Sequence, residues 1–144
     1  LETGFYFDEM ENFKKDLLQK TAKNFPDETN KFLKSQQKGL CKEMQKVAKQ
    51  VVKHTGKKSG SKFYKDYHKS FKVGKIYERD GNLCGRTYNN ARHAHLIETG
   101  HKNKDGSWQE GKHVMEISKT NYKDTFYKEV EDFLFNEIDK AGKK

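Results

Sequence analysis

The residues best suited to chemistry lie in one segment, Arg92-His93-Ala94-His95-Leu96-Ile97-Glu98-Thr99-Gly100-His101. With His113 it holds four of the six histidines of this 144-residue chain. On a strand, His93 and His95 would point the same way. Together with Glu98 they could ligate zinc or a similar metal, or supply a general base for hydrolysis. The spacing argues against both: it fits no standard zinc pattern, HExxH is absent, and no second acidic cluster lies near enough to hold magnesium. A plainer reading makes these histidines polar packing residues at a turn, with Glu98 hydrogen-bonded to a local donor. Cys41 and Cys84 are the only cysteines and form no CxxC, so neither a zinc ribbon nor a redox pair is indicated. Two free thiols fit a reducing compartment. No catalytic, cofactor-binding or metal-binding residue is therefore assigned.

The element that must position everything else is a long helix over Pro26–His54. Pro26 suits the first turn, and Asp27 and Glu28 complement the positive end of the dipole. Gly56 and the polar run behind it mark the stop. Lys31, Lys34, Lys38, Lys42, Lys46, Lys49 and Lys53 recur at steps of three or four, which lines them along one side. Leu33, Leu40, Met44, Val47 and Val51 take the opposite side. Lysine-rich faces are common on solvated helices, but here only Asp27, Glu28 and Glu43 stand against seven lysines, so few i,i+4 ion pairs are available. The stripe is a candidate surface for DNA or for an acidic partner. Gly39 is the weak point of the helix, costing about 1 kcal/mol against alanine.

Composition points the same way. The formal net charge is +9, with Pro26–His54 at +4, Thr55–Asp80 at +5, and both ends slightly acidic. Such a distribution favours a polyanion or an acidic surface as neighbour. Hydrophobic residues make up 32%, well under the usual fraction of about 45–50%, which also counts glycine. Mean hydropathy is −1.17. The core must be thin and lean on the ten Phe and seven Tyr, and burial shared with partner subunits is expected. No run of 18 apolar residues occurs, so no ordinary membrane span is expected; nor is a signal peptide visible.

The rest of the chain reads as one domain over residues 1–144. Leu1–Phe7 is an irregular lead-in. Asp8 caps a first helix to about Asn24, with Met10, Phe13, Leu17 and Thr21 inward; it forms a helical hairpin with the long helix. Thr55–Lys65 is a flexible loop. Tyr64, Tyr67 and Phe71 lie among Lys62, Lys65, Lys69 and Lys72, a mixture that could stack bases or simply begin a half-buried strand. Ser70–Arg79 and Asn82–Asn90 form a hairpin about Asp80-Gly81, with a bulge at Gly74. Ala91–Gly100 is compact and mixed, Lys102–Lys112 a polar loop, and His113–Ser118 a short strand. Thr120 or Asn121 caps a last helix to about Lys140, with Tyr122, Phe126, Val130, Phe133 and Ile138 near one face. The tail Ala141–Lys144 frays. Antiparallel strands with segregated helices make the class α+β: a helical hairpin with one long amphipathic helix, a sheet of about three strands and a C-terminal helix.

The run His93–His101, followed by a glycine-containing loop and Gly111-Lys112-His113-Val114, resembles a family of small tailed-phage proteins known as tail-completion, neck or head–tail joining proteins, or minor tail components. Thr55-Gly56 after the long helix, Ser70–Gly74, Asn89-Asn90-Ala91 and the closing helix fit the same pattern, so that roughly Lys31–Phe135 is covered. The resemblance implies a structural virion protein, assembled in the host cytoplasm. It would work as an oligomeric ring around the DNA channel, between the connector or stopper of the head and the tail terminator, with no cofactor and no membrane. The motif residues His95, Glu98, Gly100 and His101 are then shape-setting. A free basic nucleic-acid-binding module, or less readily a His/Glu metal-dependent hydrolase, is the competing class.

Overall fold

The computed structural model describes residues 2–6, 9–52, 67–91 and 94–142. Lys53, the Thr55–Lys65 loop, Asp8, His93 and the last two residues of the expected tail lie outside the described residues. In chain order the elements are β1 (Glu2–Thr3), α1 (Asn12–Asn24), α2 (Pro26–Val51), β2 (Phe71–Val73), β3 (Tyr77–Arg79), β4 (Asn82–Cys84), β5 (Thr87–Asn89), α3 (Ala94–Thr99), β6 (Gly100–Lys102), β7 (Trp108–Glu110) and α4 (Val114–Gly142). The fold is α+β, as expected.

Pro26 opens α2 directly behind the end of α1, with Asp27 and Glu28 in its first turn. Its apolar residues Leu40, Met44 and Val47 are buried, joined by Gln36, Gln37, Cys41 and Ala48. α4 lies along it antiparallel: Phe32 stacks on Phe133 at 4.4 Å, the Tyr122 hydroxyl donates to Gln36 Oε1 at 2.9 Å, and Asn121 reaches Glu43. α1 returns beside both helices, with Leu18 packed among Phe126, Val130 and Leu134 and Lys14 paired with Glu131. The other side of α2 receives a three-stranded antiparallel sheet in the order β1-β5-β2. Phe71 pairs with Asn89, Lys72 with Tyr88 and Val73 with Thr87.

Several sequence expectations change. The lead-in carries β1, which pairs with β5 through Glu2–Tyr88 and Thr3–Thr87 and is anchored by Phe5, stacked on Phe126 at 4.4 Å. The third strand of the sheet is thus the N-terminal one, not His113–Ser118. That stretch is the first turn of α4: Val114, Met115 and Ser118 share a helical face and are all buried, and the Ser118 and Thr120 hydroxyls bond back to the carbonyls of Val114 and Glu116. Thr120 is therefore not a cap. Both long hairpin strands are broken in two near Gly74 and Gly85. Only the tip, β3–β4, closes over Asp80-Gly81, both at positive φ. The polar loop is itself a hairpin, β6–β7. Phe13 is 75% exposed because Leu18 takes the inward position on α1, and Ile138 is 49% exposed because Leu134 and Glu137 continue the buried stripe of α4.

Gly39 reverses the expectation placed on it. A Cβ there would lie 2.9 Å from Tyr122 Cζ and closer still to its hydroxyl oxygen. The missing side chain is what lets α4 approach. Gly39→Ala therefore destabilises, by about 1–3 kcal/mol through overpacking, although helix propensity alone would favour it. Denaturant unfolding of the single variants and of Gly39→Ala/Tyr122→Phe checks this: the double variant recovers part of the loss, and a stabilised Gly39→Ala protein would contradict the packing account.

Candidate functional site

The histidine-rich segment folds as α3 followed by β6, and its residues part company. Glu98 turns inward and is buried, while His95, one turn earlier, is exposed. The Glu98 carboxylate accepts the backbone N–H of Met115 through both oxygens, at 2.6 and 3.1 Å. Met115 is the second residue of α4, so Glu98 caps that helix from seventeen residues upstream, satisfying a donor that the helix cannot satisfy itself. The backbone joins in: Lys112 N–H donates to the Ile97 carbonyl at 2.7 Å, and His113 N–H to that of Glu98 at 3.2 Å. Burial pushes the Glu98 carboxyl above the ordinary carboxylate range, with the Met115 hydrogen bond and the charge of His113 pulling the other way.

Gly100 stands at φ +94°, a conformation that side chains disfavour. A Cβ on it would meet the Gln109 carbonyl at 2.5 Å and Gly111 N at 2.9 Å. It closes the turn that brings Gly111–Val114 against α3. His101 is half-buried beside the Lys102 carbonyl. His113 holds φ +53° at the mouth of α4, with Nε2 3.3 Å from Glu110 and Nδ1 3.6 Å from Glu116. Among the described residues no three His, Cys, Asp or Glu side chains converge on a metal position. His95 lies on α3 and Glu98 is committed to Met115.

The second candidate surface is the lysine stripe. Lys31, Lys34, Lys38, Lys42, Lys46 and Lys49 are all exposed. The nearby acid Glu43 is engaged by Asn121 rather than by a lysine. The aromatic residues offered for base stacking are placed differently: Tyr67 and Phe71 are buried, edge to face at 5.4 Å, in the core beneath α2. Burial also raises the Tyr67 hydroxyl pKa.

One determinant was missed from sequence. Gln37 sits on the buried side of α2 and donates through Nε2 to the carbonyls of Gly74 at 3.0 Å and Arg86 at 2.9 Å. These are the carbonyls at the break in both hairpin strands. Its own backbone carbonyl accepts from the Thr87 hydroxyl at 3.3 Å. The signal was available as a glutamine pair, Gln36-Gln37, inside an apolar stripe.

Residues 8–100 match the protein family described as "Bacteriophage HK97-gp10, putative tail-component". The chain belongs to this family of phage tail components. The match takes in α1 and ends at Gly100, the first residue of β6, so β7 and α4 lie beyond it. No curated protein and no solved structure matches the chain. Among the described residues of this tail component, no helix is long and apolar enough to cross a membrane.

For the tail component, removing the Glu98 cap takes both carboxylate acceptors from Met115 N–H, so Glu98→Ala costs about 1–3 kcal/mol, and Glu98→Gln, which keeps one acceptor, costs less. A carboxyl whose pKa is raised by folding binds its proton more tightly in the folded chain. Its contribution is fully present below the ordinary carboxylate range and is lost as pH rises through the raised value. The advantage of wild type over Glu98→Gln should therefore shrink from pH 4 toward pH 7 in urea titrations. An advantage that grew with pH would show that the charged form is the preferred cap.

Proposed function

We propose that this tail component acts at the neck of the virion, as one subunit of a ring that joins head to tail around the DNA channel. In this reading the lysine face of α2 is turned toward the DNA, and the neighbours are the head's connector or stopper and the tail terminator. The role is structural.

The observation that carries the reading is the one-sided, uncompensated lysine face of α2. Six exposed lysines follow one another at helical spacing over Lys31–Lys49, and among the described residues none of them makes an ion pair. A ring of such faces neutralises phosphate charge along a passing duplex without reading its sequence. The contacts are electrostatic and exchange readily with counterions, which suits a polymer that must move through the ring. The thin aliphatic content of the chain also fits a subunit that completes its burial beside copies of itself.

Reversing Lys38, Lys42 and Lys49 to Glu leaves the buried side of α2 untouched, so the variant should fold normally by circular dichroism. Phage carrying it should assemble heads and tails but lose joined, DNA-retaining particles, with infectious titre falling at least tenfold. A normal titre from the triple variant would remove the DNA-facing role. Firmly joined, infectious particles made without this protein would remove the neck role itself.

A further inference from the structure

We propose that copies of this chain associate head to tail, the outer face of α4 in one copy seating on the outer face of the β2–β5 sheet in the next. This contact rests on the ring proposed above and names the surfaces that close it.

The placement follows from α2. Phe32, Gln36, Gly39 and Glu43, which meet α4, lie on one side of the lysine stripe. Gln37, which holds the sheet, lies on the other side. At 100° per residue, each group sits roughly 100° around the helix from the centre of the lysines. With the lysines toward an axis, α4 and the sheet become the left and right flanks of the subunit, the surfaces that neighbours in a ring present to one another.

The two flanks differ in charge, and each carries an aromatic residue. On the outer face of α4, Asp124 and Asp132 are exposed with Lys128 between them, and Phe135 on the same side is 71% exposed. On the sheet, Lys72 pairs across strands with Tyr88, the Arg86 guanidinium lies 4.5 Å over the Tyr88 ring, and Lys75 is exposed alongside. Phe135 against Tyr88, rimmed by carboxylates facing cations, is the ordinary composition of a protein interface. Two copies of the α4 face brought together would oppose like charges, so a two-fold contact through it is disfavoured. A contact between two different faces is heterologous and propagates until it closes.

The test uses full-length chains in assembled particles. In a Cys84→Ser background, Phe135→Cys with Tyr88→Cys should give an oxidation-dependent ladder of covalent multimers from purified tails, while each single cysteine gives at most a trace. Asp124→Lys with Asp132→Lys should lower ladder formation at least tenfold, as should Lys72→Glu with Arg86→Glu. Combining all four reversals in one chain should restore it, which a merely misfolded variant would not do. Particle-bound protein without a ladder, or a Phe135→Cys chain that pairs with itself, overturns this contact and leaves the neck reading standing. Absence of the protein from particles overturns both.

Discussion

Packing one helix on another requires a gap in one for the side chains of the other. Gly39 supplies that gap on α2, and Tyr122 of α4 fills it. The contact sets the register between the two longest elements of the fold. With Tyr122 seated, its hydroxyl reaches Gln36, Phe133 arrives over Phe32, and Phe126, Val130 and Leu134 are carried onward to Leu18 of α1. Rings account for much of this interface. Elsewhere the core leans on rings less than the composition suggests: among the described residues only Tyr67, Phe71 and Phe126 are buried aromatics, beside aliphatic residues such as Met44, Val47, Val114 and Val130, while Phe13, Trp108 and Phe135 are exposed.

The remaining elements are fixed by the apolar cluster around Met44 and, beside it, by a few buried polar side chains that hydrogen-bond across elements. Gln37 does so through its Nε2, while its Oε1 has no partner among the described residues. Glu98 joins α3 to the start of α4, and Gln37 joins α2 to the broken hairpin. Asn89 donates to the Tyr67 carbonyl at 2.9 Å while its own oxygen accepts from Ala91 N–H at 2.8 Å. Each group is buried at a cost that only a satisfied hydrogen bond offsets, so each specifies one arrangement over near alternatives. A slipped hairpin would leave Gln37 facing no carbonyl, and an α4 begun one turn later would leave Glu98 facing no donor. A thin core benefits from such directional contacts, because apolar burial alone discriminates poorly between neighbouring registers.

How far the fold was legible follows from the same division. α2 could be read almost to its ends, since a strong 3.6-residue period and its N-terminal residues are local signals. Asp80-Gly81 and Gly100 were legible for the same reason, their backbone demands being written in the residues themselves. The start of α4 was not, because its cap is supplied by Glu98 from a distant part of the chain and the intervening Val114–Ser118 alternates like a strand. Phe13 and Ile138 were misplaced because each had a neighbour five or four residues away, Leu18 or Leu134, able to take the inward position, and only the partner helix decides between them. For the candidate site, the sequence did not show which groups Glu98 and Gly100 meet. Those groups are Met115 N–H and the backbone of Gln109 and Gly111, nine to seventeen residues further along the chain.

The lysine face can be separated from the fold on energetic grounds. Lys34, Lys38, Lys42 and Lys46 are spaced four residues apart, so each neighbouring pair is a like-charge i,i+4 contact, costing a few tenths of a kcal/mol in an isolated helix. Nothing in the packing of α2 requires this, since the helix folds through its opposite side, where Met44, Val47 and Ala48 are essentially inaccessible to solvent. Interspersed glutamates would serve solubility equally well and would convert the repulsions into weak ion pairs. α4 shows that this chain uses that pattern elsewhere, with Lys128 set among Asp124, Glu129 and Asp132. An exposed surface that keeps an avoidable repulsion is better suited to meeting negative charge from outside than to stabilising its own helix.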